Sequence, residues 1–211
     1  MVAHDFMKFL ADAAILLPAF LMALSFHEYA HAFVATFFGD PTARRAGRLT
    51  LNPAAHIDPT GLFCLILFRF GWAKPVPFNH HNFKHPKLYA VLTALAGPLA
   101  NLILALIMYY LAAYMPLLHM PAAVATTFIT IFEVTAYVNV MLGVFNLLPL
   151  PPLDGSHLLT VFFEDKYPRA MLAIYQYSFF ILIIIFVHPQ TRMALDMAIT
   201  AVVNLLKMLV F

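Results

Sequence analysis

The run Ser25-Phe26-His27-Glu28-Tyr29-Ala30-His31 puts two imidazoles and one carboxylate inside otherwise apolar sequence. On a helix, residues four apart differ by about 40° in rotation and ~6 Å along the axis, so His27 and His31 share one face. Two imidazoles so placed suit one zinc ion. Glu28, next to the first of them, can take a proton from a metal-activated water and pass it to a leaving amine. Such groups are costly in lipid and survive there where they face a protein or water-filled interior. A catalytic zinc takes a third protein ligand and keeps one position open. Asp154 is the candidate. It follows Asn146-Leu147-Leu148-Pro149-Leu150-Pro151-Pro152-Leu153, whose prolines end a helix and hold the aspartate in a fixed turn; an ordinary Asp-Gly turn is the other reading. The expected cofactor is one Zn2+ per chain.

The elements that must position these groups belong to a membrane. Hydrophobic residues make up 63% of the 211 and charged residues 10%, and mean hydropathy is +0.85. This balance excludes an ordinary soluble domain and predicts an all-α polytopic membrane protein in a single domain, residues 1–211. The net charge of +2 is too small, and its Lys and Arg too scattered, to suggest a nucleic-acid partner, and none is expected. Cys64 is alone and can form neither an internal disulfide nor a cysteine zinc site. About five transmembrane helices are expected, at Phe9 to Phe38, Tyr89 to Ala113, Pro121 to Leu148, Tyr175 to Val187 and Met193 to Leu209. The first is about 45 Å long against ~30 Å of hydrocarbon and carries Pro18 as its kink. The second contains Gly97-Pro98-Leu99-Ala100-Asn101, whose small residues favour close packing and whose Asn101 either faces the site or makes an interhelical hydrogen bond. Glu133 lies mid-span in the third with no partner visible in the sequence.

Between the first two spans, Leu62 to Phe70 is too short to cross and predicts a re-entrant or interfacial segment. Arg48 to Leu51 and Ala73 to Phe78 read as extended, and together they predict a small β-sheet near the membrane face; a pair of connecting loops is the other reading. Pro75 and Pro77 restrict the second piece to an edge. An edge there could pair with an unwound peptide by strand addition, which makes Pro75, Val76, Pro77 and Phe78 candidate substrate-binding residues beside Asn101.

His27-Glu28-x-x-His31 in the first span, followed after a later one by Asn146-x-x-Pro149-x-Pro151-x-Leu153-Asp154-Gly155, resembles the site-2 protease family of intramembrane zinc metalloproteases, peptidase family M50. Gly39-Asp40-Pro41-Thr42, Gly47 to Pro53 and Gly71 to Pro77 are similar to its compact prokaryotic branch, and the resemblance covers roughly residues 25 to 157. It implies zinc on His27, His31 and Asp154, Glu28 as catalytic base, Asn146 beside the metal as a possible oxyanion donor, and a Gly97/Asn101 pair. It also implies cleavage of transmembrane protein substrates within the lipid bilayer. Many members add PDZ or CBS domains, neither of which is expected here. The alternative class is a membrane zinc-binding or zinc-transport protein without proteolysis, for which Glu28 would have no role.

The charges suggest an orientation. Arg44, Arg45, Arg48, Arg69, Lys74, Lys84, Lys87, Lys166 and Arg169 fall in two loops expected on one side, against Lys8 and Arg192 on the other. Positive loops stay in the cytoplasm, so a multi-pass protein of a prokaryotic inner membrane with its active site nearer the cytoplasmic face is expected.

Overall fold

The computed structural model describes residues 2–68 and 71–210. Its main helices are α1 (Val2–Phe37), α2 (Thr42–Arg45), α3 (Pro59–Phe68), α4 (Pro86–Tyr114), α5 (Ala122–Asn146), α6 (Ser156–Phe163), α7 (Pro168–Val187) and α8 (Pro189–Met208). Among the described residues, four stretches are long and apolar enough to cross a membrane: Ala11–Phe37, Pro86–Leu118, Ala122–Asn146 and Pro168–Val187. The protein is therefore a polytopic helical membrane protein, with four such helices where five were expected. The fifth candidate, α8, holds Arg192, Asp196 and Lys207 within its 20 residues.

Helices α1, α4 and α5 pack on one another and form the centre. Their contacts are made by small side chains, with Ala19, Ala23, Ala32 and Ala35 buried on α1, Ala90, Ala94 and Ala105 on α4, and Ala136 on α5. In lipid, where burying apolar surface between helices brings little, such residues allow the close backbone approach on which van der Waals packing depends. Pro86 opens α4, where a missing N–H costs nothing. Gly39 closes α1 at φ +97°, which lets the Asp40 N–H return to the Ala35 carbonyl.

No strand forms among the described residues; Ile57 and Ala73 make one isolated antiparallel bridge. The expected sheet fails for a reason visible in the hydrogen bonds. Pro75 and Pro77 have no N–H, Arg48 donates to the carbonyls of Lys74 and Pro75, and the Val76 N–H goes to Glu28. Beyond the Lys74 N–H, which reaches the His56 carbonyl, these groups are engaged by side chains or absent. The apolar insert is helical from Pro59 to Phe68, while Arg69 and Phe70 of that expectation lie outside the described residues. Gly61 is required there, because a Cβ would fall 2.1 Å from the Trp72 carbonyl oxygen.

The last helices depart from the simple up-and-down order. Asp165, just before α7, pairs with Lys87 at the start of α4. Phe186, at the other end of α7, packs on Phe145 at the end of α5, with ring centroids 5.4 Å apart. Since α4 begins where α5 finishes, both ends of α7 sit at one end of the bundle. Helix α8 then runs back along α5. Its Lys207 lies 3.5 Å from Glu133, supplying the partner that the sequence did not reveal, and sits over the Tyr109 ring. Arg192, in the first turn of α8, consequently belongs to the same end as the other basic loops.

Candidate metal centre

His27, Glu28 and His31 are 5%, 7% and 7% exposed, inside the α1–α4–α5 centre. His27 Nδ1 donates to Asn101 Oδ1 at 2.7 Å, and the Asn101 amide nitrogen in turn donates to the Ala23 carbonyl at 3.0 Å. A backbone carbonyl only accepts, so the orientation of the amide is fixed and Nδ1 of His27 must carry the hydrogen. His31 Nδ1 donates to the Thr93 carbonyl at 2.7 Å, with the same result. With the rings neutral, as metal ligation requires, both Nε2 atoms present bare lone pairs. They lie 3.0 Å from each other, and Asp154 Oδ2 lies 3.0 Å from His27 Nε2 and 3.4 Å from His31 Nε2.

Three lone-pair atoms thus converge with no proton to share, and the buried Asp154 Oδ2 has no hydrogen-bond partner. Together they fall within 4.8 Å of one another. A cation between them resolves that repulsion, and two imidazoles with one carboxylate are a donor set suited to zinc. The partners behind the imidazoles, a carbonyl and an amide oxygen, are of the kind that orient metal-bound histidines. The residues present fit the metal.

The loop carrying Asp154 is folded tightly onto the end of α5. Gly155 N–H donates to the Asn146 carbonyl at 2.7 Å, and a Cβ on Gly155 would lie 2.3 Å from the Leu147 carbonyl oxygen. Gly97 provides the room on α4. A Cβ there would stand 2.4 Å from His31 Nε2 and 2.7 Å from His27 Cε1.

Glu28 points to the opposite wall. Its Oε2 accepts the Val76 N–H at 3.1 Å. The segment carrying Val76 is anchored at both ends, by Arg48 on the Lys74 and Pro75 carbonyls and by Asp40 on Asn79 N–H and Asn82 Nδ2, both at 2.6 Å. Burial raises the Asp40 pKa, yet the hydrogen bonds from Thr42, Asn79 and Asn82 outweigh it and hold the carboxyl below its ordinary value. At the rim, the His157 ring lies 5.8 Å from Phe78 and 6.4 Å from His80. Burial lowers the His157 pKa, and His80 and His31 reinforce this against the attraction of Asp154.

Comparison with known proteins bears on this geometry. The sequence profile of peptidase family M50 matches residues 15–186, which include every residue of the cluster. The chain belongs to peptidase family M50. It is 42% identical over 171 residues to YwhC of Bacillus subtilis (strain 168), a match spanning 80% of this chain and 78% of that one. It is 32% identical over 181 residues to Rip2 of Mycolicibacterium smegmatis, spanning 83% and 67%. Both relatives are named as candidate zinc metalloproteases. No solved structure matches the chain.

In this M50 peptidase the other residues singled out from the sequence take different places. Asn101 is fully buried behind His27 and its amide is spent on His27, Ala23 and Asn139, so it supports an imidazole and does not face a substrate. Asn146 donates from Nδ2 to the Leu142 carbonyl at 3.0 Å and anchors the Asp154 loop through its own carbonyl. Pro75, Val76, Pro77 and Phe78 lie beside Glu28 as an irregular extended segment. The sequence does not single out Thr93, Asn139 or His157, and it assigns Arg48 and Asp40 no role in the site. Asn139 could have been found as a polar residue inside an apolar span. Thr93 could not, because it acts through its backbone carbonyl.

Proposed function

We propose that this protein is an intramembrane zinc metalloendopeptidase that hydrolyses peptide bonds within or near transmembrane segments of other membrane proteins. The observation that carries the reading is the convergence of His27 Nε2, His31 Nε2 and Asp154 Oδ2, with Glu28 beside them, in a buried cleft of a membrane helix bundle. A zinc ion held there, one per chain, supplies Lewis acidity that activates a water and polarises the scissile carbonyl. Glu28 accepts the water's proton at Oε1 and delivers it to the leaving amine, while the Val76 N–H on Oε2 keeps the carboxylate in place. Helices α1, α4 and α5 limit bulk water around these groups. Asn146 can donate to the developing oxyanion once its Nδ2 leaves the Leu142 carbonyl.

A helical substrate must unwind to expose a peptide bond, and the extended backbone from Pro75 to Phe78 is where the unwound strand would lie. The partners are thus a transmembrane substrate and the bilayer. The functional unit is one membrane-embedded domain, residues 1–211. Zinc storage or passage without hydrolysis needs no buried Glu28 next to the ligands. In membranes holding Glu28→Gln protein, zinc content should match wild type while cleavage of single-span proteins falls about 10²- to 10⁴-fold. Unchanged cleavage in a quantitative comparison of the two membrane proteomes overturns the reading.

The site is proposed to open towards the cytoplasm of a prokaryotic inner membrane. His31 lies about 9 Å, six residues, from the Phe37 end of α1, and the basic loops gather at that end, now joined by Arg192. Single cysteines at Thr50 and His119 in a Cys64→Ala background test this. In intact cells an impermeant thiol reagent should label position 119 and spare position 50; the reverse pattern inverts the topology.

A further inference from the structure

We infer that Asn139, on α5, is a positioning residue for the metal centre, setting through Asn101 which nitrogen of His27 carries the hydrogen. This rests on the reading of His27 as a zinc ligand. Asn101 Nδ2 has two hydrogens, of which one goes to the Ala23 carbonyl and the other to Asn139 Oδ1 at 2.9 Å. Asn139 Nδ2 donates to the Thr135 carbonyl at 2.8 Å. Both asparagines are fully buried.

The chain of bonds has a fixed polarity. The Thr135 carbonyl can only accept, so the Asn139 nitrogen must face it and the oxygen must face Asn101. That oxygen, together with Ala23, requires two donors from the Asn101 nitrogen. The Asn101 oxygen is then the only atom left to meet His27, Nδ1 of the ring takes the hydrogen, and Nε2 stays open for the metal. Were Asn101 to turn over, its oxygen would meet the Ala23 and Asn139 oxygens without a proton, and an unpaired buried acceptor is costly. The relay crosses three helices, from α5 through α4 to α1. His31 is held independently by the Thr93 carbonyl and serves as an internal control.

The experiment uses the full chain in detergent, labelled with 15N-histidine and stripped of metal, with His27 assigned by comparison with His27→Gln. In wild type His27 should populate the Nδ1–H tautomer almost completely. In Asn139→Leu a substantial Nε2–H fraction should appear at His27 and not at His31, and zinc affinity measured by chelator competition should fall roughly tenfold. Asn139→Asp should restore both readouts, since burial keeps the new carboxyl protonated and able to donate to Thr135 while accepting from Asn101. Asn139→Ser replaces the Leu variant if that protein does not fold. The inference is overturned if His27 keeps its tautomer and zinc affinity stays within about twofold of wild type, or if His27 and His31 change together as they would on general loosening. Wild-type protein that binds no zinc would instead overturn the proposed function, and the tautomer readout, taken without metal, still decides the role of Asn139.

Discussion

His27 and Glu28 are adjacent in sequence, yet the structure holds them by opposite means. Everything behind His27 and His31 belongs to a long helix: the Ala23 carbonyl on α1, Thr93, Gly97 and Asn101 on α4, and Asn139 on α5. What meets Glu28 is a segment outside any helix, tied by Arg48 at one end and Asp40 at the other. A metal site needs ligands fixed to fractions of an ångström, and side chains on packed helices give that. A peptidase must also admit a chain and release its products, and a tethered segment can yield where a helix cannot. The metal half of the site is therefore expected to be intolerant of change, and the proton-transfer half to be adjustable.

Gly97→Ala should give the largest effect. A Cβ 2.4 Å from His31 Nε2 cannot be accommodated by turning a flexible side chain, because the ring is itself fixed by Thr93. One of the helices has to move, and zinc affinity measured by chelator competition should fall at least about 100-fold, at the upper end of what disturbing a ligand's support produces. An affinity within threefold of wild type would show that the helical side is as yielding as the other. Arg48→Gln tests the opposite half. Removing charge-assisted donors from the Lys74 and Pro75 carbonyls costs about 1.5 kcal/mol, so turnover should drop roughly tenfold and proteolysis within residues 73–78 should quicken. Zinc affinity should change by less than about twofold. A matching loss of zinc would abolish the distinction between the halves.

The smallest effect is one of pH. The Asp40 carboxyl is held below its ordinary value, so its anchoring is fully present above the unfolded pKa and is lost only as pH falls through the lower folded one. Hydrogen-exchange protection of the Asn79 amide, corrected for intrinsic rate, should stay level from pH 7 down to about 4 and decline only below that. In Asp40→Asn the acid decline should disappear.

The contrast also explains what the sequence could and could not convey. His27 and His31 sit four apart, and that spacing alone puts both rings on one face, as the structure has them. The three central helices follow from unbroken apolar runs with Pro86 and Gly39 at their ends. The segment around Val76 does not form the expected strand, because composition shows extended backbone but not what its N–H and carbonyl groups will meet; Arg48 and Glu28 engage them. Thr93 acts through an atom common to all residues and leaves no trace in residue type. Glu133 finds its partner 74 residues away in Lys207, beyond any local pattern. Hydropathy marked α7 as able to cross a membrane and was silent on where its ends are held.

Thr93, Gly97 and Asn101 are spaced four and four along α4, opposite His31 and His27, themselves four apart on an antiparallel α1. The two helices consequently mesh like the teeth of a key, with one correct setting. One residue inserted between Thr93 and Gly97 would rotate everything after it by about 100° and advance it 1.5 Å, carrying the gap at position 97 and the amide at 101 off the shared face together. The reading frame of α4 over these nine positions is thus as much a part of the site as the side chains themselves. A substitution there disturbs one contact at a time, whereas an insertion or deletion removes several functions in a single step.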